Sequence, residues 1–370
     1  MRIQTGSLDK RGGLLVRMHI DAPLLCGVIA LCLIGVVVLF SASGKNAQDI
    51  LRQVIHMCVG LAAMVALAQI TPPQYARWSP WFYGLGLILL LVVLTHGIGK
   101  GARRWLDLGV LRFQPSELMK IAVPMAVAWY LGDKALPPRF LSLATGLLLI
   151  AIPVALIARQ PDLGTAVMIV AAGLSVLYFS GINWRLIAVA GLLALGSAPL
   201  LWNYMHEYQR QRVLTLLDPE KDPLGTGYHI IQAKIAVGSG GLYGKGWLNG
   251  TQSHLEFIPE RSTDFIFAVF CEEFGFIGVL VLLCVYVFVV LRGLYIAATA
   301  QGTFSRLFAA SLSVTLFTYV FVNMGMVSGQ LPVVGIPLPL VSYGGTSLVT
   351  LLAGFGILMS IHTHKSWLSG

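Results

Sequence analysis

Ten separate stretches of this 370-residue chain are apolar over lengths that can cross a ~30 Å hydrocarbon core as helix. They fall near residues 22–40, 54–70, 81–97, 117–132, 143–158, 163–180, 185–203, 265–291, 304–327 and 341–361. The fourth and fifth are short and contain Pro124 and Pro153, which spanning helices tolerate when neighbours satisfy the freed backbone groups. The run at 265–291 is long enough to tilt or to project beyond the bilayer. Composition agrees: 56% of residues are hydrophobic and 11% charged, against roughly 25% charged in a soluble domain. The expected fold is an all-α polytopic membrane protein, a single bundle over 1–370 rather than several soluble domains. No internal repeat is visible, which argues against inverted-repeat transporters.

Ten spans place both termini on one side. Arg2, Lys10, Arg11 and Arg17, with Arg77, Lys134, Arg139, Arg185, Arg292, Arg306 and Lys365, make that side the cytoplasm by the positive-inside rule. Residues 1–21 and 362–370 are then cytoplasmic tails. No small-residue cleavage site follows the basic start, so the first apolar run is read as an uncleaved anchor. The opposite face carries Lys100, Arg103, Arg104 and Arg112 against Asp107 in one short loop. Positive charge on that side calls for a reason, and anion binding is a candidate. The formal charge of +9 likewise points to lipid headgroups or a phosphorylated substrate. Nucleic acid is not expected, because no soluble basic domain exists to carry it. The five cysteines lie in apolar runs without metal-ligand spacing and read as packing residues rather than disulfides.

Residues 204–264 form a connection far longer than usual, and it is not low-complexity. It holds Tyr204, Tyr208, Tyr228, Tyr243, Trp247 and Phe257 among many glycines. A large structured extracytoplasmic loop between helices 7 and 8 is expected. Its cluster Gly238-Ser239-Gly240-Gly241-Leu242-Tyr243-Gly244-Lys245-Gly246 lacks a following Ser or Thr and a strand–helix setting, so it is read as tightly turned backbone, not a phosphate loop.

Ionisable residues at membrane depth are functional candidates. Glu117 and Lys120 share a helical face three residues apart. They are either a structural pair at the start of a helix opened by Pro115 or part of a substrate site, and spacing weighs the two evenly. Asp264 opens the eighth span as either a general base or a helix cap, although Ser262 and Thr263 are also available as caps. Asp162 is expected to cap the sixth span. Glu272 and Glu273 read as a buried ion pair, with Arg159 or Lys120 as partner. His362 and His364 match no metal motif.

Several stretches resemble the SEDS family (shape, elongation, division and sporulation). They are Arg104-Trp105-Leu106-Asp107-Leu108-Gly109, Phe113-Gln114-Pro115-Ser116-Glu117, Gln160-Pro161-Asp162-Leu163-Gly164-Thr165 and the glycine cluster. Phe257-Ile258-Pro259-Glu260 through Thr263-Asp264-Phe265 is the most specific, and Gly335-Ile336-Pro337-Leu338-Pro339-Leu340 with Ser342-Tyr343-Gly344-Gly345 completes the order. The resemblance covers nearly the whole chain. The short termini and Gly250-Thr251-Gln252-Ser253 are similar to the family's elongation branch.

The resemblance implies a bacterial cytoplasmic-membrane enzyme that polymerises lipid II into β-1,4 glycan strands. The family's essential aspartate falls on Asp264 and its fourth-span pair on Glu117 and Lys120. An α-linked pyrophosphate and a β product imply inverting displacement, with Asp264 as candidate base. Burial would raise the basicity of that carboxylate. Lys120, Arg103, Arg104, Arg210 and Arg212 are candidates to hold the departing pyrophosphate. A divalent cation is left open, because no all-protein metal site is legible. The implied partners are a class B penicillin-binding protein, other elongation-complex proteins and membrane lipids. A lipid II flippase and a non-enzymatic scaffold for wall synthesis are the rival readings.

Overall fold

The computed structural model describes residues 18–98, 104–107, 112–205, 207–221, 226–254 and 260–364. Ten long helices fall on the ten apolar runs. They are α1 (Ala22–Ala42), α2 (Ala47–Ala68), α3 (Pro72–His96), α4 (Pro115–Gly132), α5 (Phe140–Ala158), α6 (Leu163–Phe179) and α7 (Trp184–Tyr204). Three helices of the long connection follow: α8 (Glu207–Leu217), α9 (Thr226–Ser239) and the single turn α10 (Thr251–His254). The last three spans are α11 (Ile266–Ala298), α12 (Thr303–Val327) and α13 (Gly345–Thr363). A two-residue antiparallel pair, β1 (Leu106–Asp107) and β2 (Arg112–Phe113), precedes α4.

Local chemistry accounts for the helix starts. Asp21 caps α1 by accepting from the Leu24 N–H at 2.9 Å, and Asn46 caps α2 through Gln48 at 3.0 Å. Asp162 caps α6 through the Thr165 N–H at 3.4 Å, as its position predicts. Seven of the ten, α1, α2, α3, α5, α11, α12 and α13, are long and apolar enough to cross a membrane. The chain is a multi-pass membrane protein. α4 carries Glu117 and Lys120 and is buried on nearly every face, so its surroundings are protein rather than lipid. α2, α3 and α5 instead present Leu51, Ile55, Leu85, Ile88, Leu91 and Leu148 outward, the surface a hydrocarbon solvent requires.

α4 lies against α3, α6 and α12, α11 packs on α12 and α1, and α13 runs along α2. At one end of the bundle Asp21 joins three helices. It accepts from Arg292 of α11 at 2.6 and 3.0 Å and pairs with His362 of α13 at 2.9 Å. Asp264 stands at the other end, before the first turn of α11.

α11 is broken at Gly275, whose φ of 63° and ψ of −165° leave the helical region. The glycine cluster of the long connection repairs the break. Lys245 and Gly246 donate backbone N–H groups to the carbonyls of Glu272 and Glu273 at 2.9 and 3.0 Å, while Phe276 and Ile277 donate to Gly241 and Leu242 at 2.9 and 3.1 Å. A Cβ at Gly244 would collide with the Glu273 carbonyl. These glycines therefore let backbone splice into backbone, the close-packed form of the tight turns expected there. The same splice corrects the expected partner of Glu272. It is neither Arg159 nor Lys120 but Lys245, at 2.7 Å, with Thr251 Oγ1 and the Gln252 N–H each donating at 3.0 Å. Helical spacing could not reveal this pairing, because the cation comes from the inserted loop.

Candidate active site

The turn before α11 is held by three residues from two later segments. Tyr343 donates its backbone N–H to the carbonyl of Ser262 at 2.8 Å. The Ser342 hydroxyl donates to the carbonyl of Thr263 at 2.6 Å, and itself accepts from the Leu338 N–H at 2.8 Å. Asn323 of α12 donates from Nδ2 to the carbonyl of Asp264 at 2.9 Å and to that of Ile336 at 2.7 Å. Three successive carbonyls are thus pinned, which fixes the backbone carrying the Asp264 side chain.

The helix-cap alternative for Asp264 does not hold. The N-cap position of α11 is Phe265, and no side chain caps it. The carboxylate is half-buried and aimed at Gly335, where a Cβ would stand 3.3 Å from Oδ2 on a backbone of φ 75°. The positive φ favours glycine there, and any side chain would also crowd the carboxylate. Burial foremost, then the charge of Glu260 and its side-chain hydrogen bond to Asp264, pushes the Asp264 pKa up to about 7 against an opposing pull from Arg212. The direction is the one expected for a desolvated carboxylate. Such a group is poised near neutrality, where a proton acceptor works best.

A second polar centre lies deeper in the bundle. Lys120 Nζ stands 2.6 Å from Glu117 Oε1, both side chains under a tenth exposed, and 5.0 Å from the centre of the Tyr319 ring. With Thr315 and Thr350 they line a cavity of about 40 Å³, room for one or two water-sized groups. Gln114, just before α4, donates to Asp162 Oδ2 at 3.0 Å. Arg104 lies 3.9 Å from the other Asp162 oxygen and donates to the carbonyls of Gln160, at 3.4 Å, and Pro161.

One face of α12 joins the two centres. Tyr319 and Asn323 are four residues apart, neighbours on a helical surface and about 6 Å apart along the axis. Tyr319 faces Lys120 while Asn323 holds Asp264. Met168, Tyr319 and Ile336 pack together between them. Gly164 lies against the Val334 carbonyl, leaving only 2.7 Å for a Cβ.

Of the residues singled out in the sequence, Arg212 of α8 stands near enough to Asp264 for its charge to act on the carboxylate, and Glu117 and Lys120 pair with each other. Arg104 belongs to the α4–α6 junction. Arg210 holds the end of α7, donating to the carbonyls of Trp202 and Asn203 at 2.9 Å each. Arg103 lies outside the described residues. Three participants were not singled out: Asn323, Tyr319 and Glu260. A buried amide within an apolar span is itself a signal, and Asn323 has one.

A multi-pass membrane protein with a clamped, basicity-raised carboxylate at its rim and a buried ion pair beneath is the class that fold and site define. The family model described as cell cycle protein, FtsW/RodA/SpoVE, matches residues 22–367. The chain belongs to this family, the SEDS family of its motifs. It is similar to peptidoglycan glycosyltransferase MrdB of Escherichia coli (strain K12), at 55% identity over 355 residues, 95% of this chain and 96% of that protein. The probable peptidoglycan glycosyltransferase FtsW of Geobacter metallireducens is 38% identical over 93% of this chain and 94% of its own. Among solved structures, a chain described under the structural coordination of polymerization and crosslinking by a peptidoglycan synthase complex matches with a TM-score of 0.81 at 36% identity, covering 92% and 97% of the two chains. Rod shape determining protein RodA of Thermus thermophilus matches at a TM-score of 0.71 and 31% identity, covering 94% and 98%.

Proposed function

We propose that this chain is a peptidoglycan glycosyltransferase that polymerises lipid II during cell elongation, with Asp264 as general base. The observation that carries the reading is the clamped Asp264 carboxylate, whose basicity is raised by burial and by Glu260. The GlcNAc 4-hydroxyl oxygen attacks C1 of MurNAc from the face opposite the pyrophosphate. Its proton passes to the Asp264 carboxylate as the C1–O bond to the phosphate breaks, and undecaprenyl pyrophosphate departs with the bonding pair. The configuration inverts from α to β.

Cations stabilise that leaving charge. Arg212 is the best placed of them, since its charge already acts on Asp264. Lys120 with Glu117 and Arg103 are the further candidates for the proposed pyrophosphate side of the site. Arg104 and Arg210 already donate to backbone carbonyls and would have to exchange those bonds to join it. Among the described residues no cluster of three or more metal-ligating side chains occurs. Asp264 and Glu260 would suit two oxygen ligands of a divalent cation, with water and phosphate completing its shell. In this reading the Asp264 end faces outward from the bacterial cytoplasmic membrane, the α7–α11 connection is extracytoplasmic and both termini are cytoplasmic. The whole chain is one domain. A class B penicillin-binding protein is the proposed transpeptidase partner, within the elongation complex.

The test is lipid II turnover by the purified protein with its cognate transpeptidase in liposomes. Glycan polymer supports the reading. Lipid II that crosses the bilayer without being joined points instead to a flippase, and neither outcome leaves a scaffold.

A further inference from the structure

A second cavity lies at the end of the bundle away from Asp264. α11 runs from the Asp264 end, through its break at Gly275, to Ala298, and α12 starts where it finishes. The cavity, about 490 Å³, is lined by Pro72, Arg77, Trp129, Asp133, Ser305 and His364 among others. That volume lies within the range of small-molecule sites.

Two helix ends of opposite polarity meet there. α12 begins at Gly302 with no side-chain cap, so the N–H groups of Thr303, Phe304 and Ser305 are open donors. α4 ends at Gly132 with Asp133 as its C-cap. The two ends touch: a Cβ at Gly132 would stand 3.4 Å from Phe304 Cβ and 3.7 Å from Phe304 N. Ser305 is only 6% exposed, lines the cavity and finds no hydrogen-bond partner among the described residues. Arg77, exposed on the first turns of α3, has no ion-pair partner among them either. The donors therefore number one guanidinium, the hydroxyl of a serine that is itself mostly buried and lines the cavity, and the positive end of a helix, a set that suits a phosphate. Asp133 and the negative end of α4 suit a cation beside it. Trp129, in the lining, and Trp78, one residue after Arg77, are 39% and 40% exposed, the partial exposure of aromatic rings at a membrane–water boundary.

We propose that this cavity binds a zwitterionic phospholipid headgroup, its phosphate on Arg77, Ser305 and the α12 N-terminus and its ammonium on Asp133. A purely anionic lipid would meet the Asp133 carboxylate, whereas phosphatidylethanolamine matches both charges. The site is separate from the polymerisation centre and does not depend on the function proposed for it.

The experiment is native mass spectrometry of the delipidated full chain, titrated with phosphatidylethanolamine, phosphatidylglycerol and inorganic phosphate. The wild type should hold phosphatidylethanolamine in preference to phosphatidylglycerol. Arg77→Ala should weaken both lipids about tenfold, the loss of a hydrogen bond to a charged group. Asp133→Asn should weaken phosphatidylethanolamine alone by a similar factor. Arg77 and Asp133 are surface positions, so both variants should fold, and Arg185→Ala is the control cation that should change neither lipid. Unchanged phosphatidylethanolamine binding in Arg77→Ala and Asp133→Asn would overturn the site. A wild-type preference for phosphatidylglycerol would overturn the zwitterionic assignment, and saturation by inorganic phosphate without a lipid adduct would reassign the cavity to a free anion.

Discussion

Asn323 donates from its side-chain amide to the backbone carbonyl of Asp264 at 2.9 Å, from the last two turns of α12. The same nitrogen holds Ile336 at 2.7 Å, so one fully buried amide locks the turn that carries the carboxylate to the loop that covers it. Position, not chemistry, is what Asn323 contributes.

Asn323→Ala removes both hydrogen bonds and leaves two carbonyls unsatisfied, a loss of about 2–3 kcal/mol in stability. Lipid II polymerisation should fall at least about tenfold, because a misplaced base loses its alignment with the reacting hydroxyl. Turnover measured at matched folded protein, beside a thermal melt, separates the two effects. A stability loss with undiminished turnover per folded molecule would remove Asn323 from any positioning role.

The pH dependence follows from the Asp264 carboxyl. With its pKa pushed up to about 7, the rate should climb as pH rises through that region and level off above it. Glu260→Gln removes one of the groups that raise the pKa and should move the limb to lower pH. Arg212→Ala removes the group that lowers it and should move the limb higher. Stability runs the other way. Between the unfolded carboxylate value near ~3.9 and about 7 the folded state binds the extra proton, so this group's contribution declines as pH rises across that window. pH–rate profiles of the three proteins check the shifts.

The Glu117–Lys120 pair should be costly to break and cheap to replace. Lys120→Met alone leaves Glu117 buried without its cation and should cost about 3–5 kcal/mol. Glu117→Gln combined with Lys120→Met should restore most of that stability yet leave polymerisation impaired, if the pair serves the substrate. Full activity in the folded double variant would return the pair to a purely structural role.

Gly275→Ala tests the splice between α11 and the glycine cluster. A Cβ there meets the backbone of Gly244 on a φ of 63°, so folded yield and melting temperature should both drop. Lys245→Ala should also destabilise, since it strips the cation from a fully buried Glu272. Thermal melts of the two variants in detergent report both effects.

The ten long helices are legible in the sequence as ten apolar runs, and seven of them have the length and apolar composition that hydrocarbon imposes on a span. The Asp162 cap and the Glu117–Lys120 pair were equally legible, since helical spacing and capping chemistry are local. The break at Gly275 was not, because the loop that repairs it comes from residues 241–246, outside the span itself. For the same reason helical spacing does not announce that Lys245 is the cation of Glu272. Asn323 and Tyr319 went unmarked because their partners, Asp264 and Lys120, lie far away in sequence. The roles of Arg104 and Arg210 depend on carbonyls at helix ends, which no residue pattern announces.

The most direct test of the account compares wild type, Asp264→Asn and Asp264→Glu in lipid II polymerisation with the cognate transpeptidase, at matched expression and melting temperature. The account predicts polymer from the wild type, none from Asp264→Asn, and a weak, pH-dependent rate from Asp264→Glu, which keeps a proton acceptor but displaces it. Equal polymer from wild type and Asp264→Asn would contradict it, and would move the chemistry away from the clamped turn.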